Sequence, residues 1–109
     1  MSTGITQGNS ASINSIQLVI DPANIATATT NEQTFSLPGL KLGDQVIVSK
    51  PTLTAGIAVC SARVSAADTL AITFVTTAVN INAPSETYTI VVIRPEGAPG
   101  NALPASLQV

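Results

Sequence analysis

Between Leu37 and Phe74 the chain is cut by turn residues at intervals too short for helices, and this punctuation limits its fold more than any other feature. Pro38-Gly39, Gly43-Asp44, Pro51 and Ala66-Ala67-Asp68 separate short runs rich in β-branched residues. Proline lacks the N–H that a ladder or helix interior requires, glycine reaches backbone angles closed to other residues, and aspartate bonds nearby backbone amides. Runs of this kind between such breaks predict consecutive strands in an all-β domain.

Alternation of apolar and polar residues says which side of each strand is buried. Ser15 to Ile20 places Ile16, Leu18 and Ile20 on one face, and Asp21-Pro22 ends it. Asn24 to Thr30, with Ile25 as its one large side chain, is expected to form a short edge strand. Gln33 to Leu37 presents Phe35 and Leu37, and Gln45 to Ser49 presents Val46 and Val48 opposite Ile47. Ile57 to Val64 divides into Ile57, Val59, Ser61 and Arg63 on one side and Ala58, Cys60, Ala62 and Val64 on the other. Thr69 to Thr76 alternates most clearly, through Leu70, Ile72 and Phe74, and reads as a central core strand. Residues 78 to 85 form a loop long enough to cross between sheets. Glu86 to Arg94 closes the set: Tyr88, Ile90 and Val92 face a core while Val91 and Ile93 are apolar on the opposite face, so the strand is either central and covered on each side or covered by another subunit, the second being preferred.

The expected architecture is a two-sheet β-sandwich, jelly-roll-like, of six to eight short strands. Its core is expected to comprise Ile16, Leu18, Ile20, Phe35, Leu37, Val46, Val48, Val59, Leu70, Ile72, Phe74, Tyr88, Ile90 and Val92. At 109 residues the chain fits one domain, read here as residues 14–94, with an N-terminal arm over 1–13 and a Pro/Gly-rich tail over 95–109. Charged residues make up 9 % of the sequence against about 25 % in an average soluble domain. So little charge favours a protein that exists assembled, with Ile5, Ile13, Val91, Ile93, Leu103, Leu107 and Val109 as the partner-contact residues.

Several functions conflict with the composition. Lys41, Lys50, Arg63 and Arg94 stand singly, and Phe35, Phe74 and Tyr88 are the only aromatics, which argues against nucleic-acid binding. No histidine is present, so the commonest general base and metal ligand are missing. Asp21, Glu32, Asp44, Asp68, Glu86 and Glu96 fall at turns and strand starts, where carboxylates cap backbone groups; no catalytic pair, cofactor, metal or small-molecule substrate is expected. Cys60, alone and inside an apolar run, reads as a buried small hydrophobe. Without tryptophan, and with Tyr88 in a core strand, ring stacking on a sugar lacks its usual platform. No basic-then-apolar leader and no apolar run of about 20 residues is present, so cytosol-like surroundings are expected until a lysing cell releases the chain, with no membrane contact.

The run Gly43-Asp44-Gln45-Val46-Ile47-Val48-Ser49-Lys50-Pro51, then Ala55-Gly56-Ile57, Ala62-Arg63-Val64-Ser65-Ala66-Ala67-Asp68-Thr69-Leu70, Ile72-Thr73-Phe74 and Thr87-Tyr88, resembles a small β module of tailed-phage virion proteins. The likeness spans roughly residues 33 to 94 and is greatest to capsid cement, or decoration, proteins. It implies a trimeric, non-enzymatic β-sandwich subunit, made in the host bacterial cytoplasm and bound outside the virion capsid at junctions between major capsid proteins. The alternative it implies is a tail, head-fibre or spike module that binds host-surface glycans.

Overall fold

The computed structural model describes the backbone of residues 10–95 and the side chains of residues 12–95. Six strands run through it: β1 (Ser10–Ile20), β2 (Thr30–Ser36), β3 (Gln45–Ser49), β4 (Ile57–Ala66), β5 (Thr69–Thr76) and β6 (Glu86–Pro95). They form two three-stranded antiparallel sheets, a first ordered β1-β6-β3 and a second ordered β2-β5-β4. A hairpin joins β4 to β5, and every other connection passes from one sheet to the other. No helix occurs among the described residues.

The inward faces of both sheets meet in one apolar cluster that contains or touches every residue of the expected core. Phe74, Leu70, Ile72, Tyr88, Ile90 and Ile20 are its fully buried large side chains. Ile16, Leu18, Phe35, Val46, Val48 and Val59 are partly buried against it. Ile25, Leu40, Ile57, Val64 and Ala83 also belong to the cluster, drawn from a strand and three connections whose local pattern gives little hint of burial.

Four expectations are corrected. β1 begins at Ser10 rather than Ser15, so Ile13, read as part of an arm, is a strand residue paired with Ile93. Asn24 to Thr30 is no edge strand: Ile25 alone makes a bridge, exchanging backbone hydrogen bonds of 2.8 and 3.0 Å with Ile81. The segment before it is held by a side chain, because the Gln33 amide accepts from the N–H of Ala23 and donates to its carbonyl. Cys60 is exposed rather than buried. It follows Val59, which faces the core, and so points outward; a β-bulge then pairs Val59 with Phe74 and Ser61 with Thr73, leaving Cys60 as the extra residue. The bulge reverses the alternation, so Ile57, Val59, Ala62 and Val64 face the core together, which corrects the expected division of this strand.

Asp68 is a backbone cap, in a left-handed conformation (φ 58°) that an L-residue adopts at a cost unless side-chain and backbone bonds hold it. Here its carboxylate accepts from the N–H of Gly39 at 2.7 Å, its N–H donates to Leu40 O, and its carbonyl accepts from Leu37 N. The β4–β5 hairpin is thereby fastened to the turn that follows β2.

Two ion pairs bracket β3. Preceding it, buried Asp44 receives both Nε (2.9 Å) and Nη2 (2.7 Å) of Arg94 on β6 and also accepts from Lys41 N–H. Following it, Lys50 Nζ donates to Glu86 Oε1 at 2.8 Å, to Thr54 Oγ1 and to Thr52 O, while the Thr52 hydroxyl donates to Glu86. Glu86 and Arg94 thus sit at opposite ends of β6, and each grips a residue flanking the five-residue β3. Hydrogen bonds from Arg94 hold the Asp44 carboxyl below its usual range, and those from Lys50 and Thr52 do the same for Glu86.

Because both folded-state values are depressed, this stabilisation is fully present above the ordinary carboxylate range of about 4 and is lost as pH falls through the lowered values. Thermal melts from pH 7 to pH 2 should therefore show Tm falling steeply below about pH 4. The Asp44→Asn, Glu86→Gln variant should melt lower at pH 7 but lose less on acidification; an unchanged acid limb would remove the clamps from the stability argument.

Tyr88 makes a second prediction. Its ring is fully buried, its hydroxyl has no hydrogen-bond partner among the described residues, and desolvation, with the Glu86 charge second, pushes its pKa up to about 12. Since an unpaired buried hydroxyl costs about 1–3 kcal/mol, Tyr88→Phe should raise Tm by several degrees. A fall in Tm would show that the hydroxyl is bonded in solution.

A candidate docking face

Register determines which side chains share the outer face of the first sheet. Across β1, β6 and β3 the outward rows are Ile13, Ile93 and Gln45; Ser15, Val91 and Ile47; and Gln17, Thr89 and Ser49, with Val19 and Thr87 beyond them. Ile13, Ile93, Val91 and Ile47 therefore adjoin in two neighbouring rows. Ile13 is 66 % exposed and Ile47 56 %, while Val91 and Ile93 on the middle strand are half-buried by their neighbours. No residue in these rows is charged.

The outer face of the second sheet is different. There Arg63 on β4 reaches across β5 to Glu32 on β2 with two hydrogen bonds, Nε to Oε2 at 2.8 Å and Nη2 to Oε1 at 3.0 Å. These bonds lower the pKa of Glu32 and raise that of Arg63. Ala71 and Thr73 lie in the rows the pair crosses, and Ala71 is wholly shielded. One face is thus capped by an ion pair, and the other offers branched aliphatic side chains to water.

Of the residues expected to contact partners, Ile13, Val91 and Ile93 come together on this face, whereas Ile5, Leu103, Leu107 and Val109 lie outside the described residues. Ile47 and Val19 belong to the same face and were not anticipated as contacts. Their signal was present in the alternation: once Val46 and Val48 point inward, Ile47 must point out.

Elsewhere, little chemistry converges. Asp44, Glu86 and Glu32 are held by basic partners, Asp68 by backbone, and Asp21 lies exposed at the end of β1. Among the described residues no group of three or more His, Cys, Asp or Glu is placed to hold a metal. A shallow cleft of about 290 Å³ lies beside Lys50, Thr52, Leu53, Thr54 and Val59, but the Lys50 ammonium there is already committed to three acceptors. No helix among the described residues is long and apolar enough to cross a membrane.

No family model, no curated protein and no solved structure matches this chain.

If the outer face is surface rather than core, truncating it should hardly affect stability. Ile13→Ser and Ile47→Ser should each cost under about 1 kcal/mol in chemical denaturation, whereas Ile90→Ala, on the neighbouring strand but facing inward, should cost about 2–5 kcal/mol. Equal losses for Ile47→Ser and Ile90→Ala would mean that Ile47 is buried.

Proposed function

We propose that this chain is a non-enzymatic virion protein: a β-sandwich subunit that binds the outside of a tailed-phage head and reinforces the junctions between major capsid proteins. The observation that carries this reading is the uncharged face on which Ile13, Ile47, Val91 and Ile93 lie side by side. Apolar surface of this kind marks a site of association, because covering it releases water at little desolvation cost when no charge must be stripped. A small subunit that touches several capsomers at once gains further, since each contact after the first is effectively intramolecular.

The arrangement of the remaining groups supports a binding role. Carboxylates and basic residues are mostly engaged in holding strands and turns together, and the buried ring of Tyr88 offers no stacking platform for a pyranose.

Purified protein mixed with empty heads of the phage that carries the gene should co-sediment with them. Ile47→Ser with Val91→Thr should lower occupancy at least tenfold at unchanged far-UV circular dichroism, a loss of about 1.4 kcal/mol of binding. Full occupancy by that variant would move the contact elsewhere on the molecule. Glycan binding without affinity for heads would replace the proposal with a fibre or spike role.

A further inference from the structure

Among the described residues the two sheets have four unpaired edges, and three are guarded. β3 is short, flanked by Asp44 and Lys50 and set beside β4. β2 carries Glu32, while β4 carries Arg63 and is bulged at Cys60 and near its end. Charges, bulges and short length are the usual means by which an edge avoids pairing with another chain.

β1 has none of these along Ser12 to Ile20. It is the longest strand, with 11 residues, and its bulge is confined to the Ser10/Ser12 end. Between there and Asp21-Pro22 it has neither a charge nor a proline. Among the described residues its second edge pairs with nothing. Apolar groups flank that edge on both sides: Ile13 and Val19, each 66 % exposed, point outward, and half-buried Ile16 and Leu18 point inward.

We propose that this edge pairs with the same edge of a second copy, antiparallel about a twofold axis through Ile16, joining two first sheets into one continuous six-stranded sheet. The strand is self-complementary in that register. Residues whose numbers sum to 32 lie opposite one another, so Ile13 faces Val19 of the second copy twice over, Ile16 faces itself and Ser15 faces Gln17. This places the two most exposed apolar residues of the strand against each other and overlaps all of Ser12 to Ile20, about 30 Å of ladder. Registers centred on Ser15 or Gln17 set Ile13 against Gln17, or Val19 against Ser15. With no charge on the edge, a second copy meets no like-charge repulsion. The pairing also runs the apolar outer faces of two copies together. It does not depend on the decoration role, and it departs from the threefold assembly that the family likeness implies.

Sedimentation equilibrium of the full chain, free of any phage particle, tests it. A concentration-dependent dimer is expected. Ser15→Lys with Gln17→Lys puts like charges directly opposite at two symmetric positions and should weaken the dimer about tenfold or more. Ser15→Glu with Gln17→Lys puts opposite charges there and should hold the parental affinity. In a Cys60→Ser background, Ile16→Cys should give a disulfide-linked dimer on mild oxidation, because opposed Cα atoms at the dyad lie about 4.5–5.5 Å apart. A monomer at all concentrations, a trimer, a dimer indifferent to the lysine pair, or an Ile16→Cys variant that never cross-links would each overturn the proposal.

Discussion

β6 has to satisfy two demands at once, and the rest of the fold follows from how it does so. Its inward row runs Glu86, Tyr88, Ile90, Val92 and Arg94, an apolar centre with a charge at each end. Three aliphatic or aromatic side chains can leave water only if the second sheet covers them. The terminal charges can approach that core only if each finds a partner, because an unpaired charge near an apolar interior is far costlier than a paired one. Asp44 and Lys50 supply the partners, and they do so from the two ends of β3. A strand of five residues has few ladder bonds of its own, and these two contacts set where it lies.

Placing β3 there has a consequence on the opposite side of the sheet. With Val46 and Val48 turned inward beside β6, Ile47 must stand outward next to Val91, one row from Ile13 and Ile93. Of the basic residues, Arg94 and Lys50 are occupied by the clamps and Arg63 caps the second sheet. Three of the four basic residues are therefore used in the two clamps and on one face, and the outer rows of the first sheet have no charge. A sparsely charged composition becomes a localised feature: one sheet face, and the edge of β1 beside it, on which water is held only weakly.

Much of this was legible in the amino-acid pattern. Turn residues at Pro38-Gly39, Gly43-Asp44 and Ala67-Asp68 mark real reversals, the alternation through Leu70, Ile72 and Phe74 marks a central strand, and every expected core residue packs in or against the cluster. The doubly apolar stretch Val91-Val92-Ile93 pointed to the face described here. Less legible was Cys60, because Ala58, Cys60 and Ala62 are all small and give no sign of where an inserted residue shifts the phase. Asn24 to Thr30 has strand-forming residues, but its Ile25 spends its backbone bonds on Ile81, a pairing distant in sequence that no local rule reports. Of the expected contact residues, only those within the strands gained positions, Ile13 among them through a strand that starts earlier than its polar beginning suggests.

What the order of residues determined by itself was local: where the chain turns, which stretches extend, and which side of each stretch prefers to leave water. These depend on neighbours within a few bonds, through steric limits on the backbone and the two-residue repeat of a strand. Which strands lie side by side was decided only in three dimensions. The partition into β1-β6-β3 and β2-β5-β4, the pairing of Glu86 with Lys50 and Arg94 with Asp44, and the meeting of Ile13, Ile47, Val91 and Ile93 all join residues far apart along the chain. Such contacts form only when many hydrogen bonds and buried surfaces are satisfied together, and no single segment carries that information.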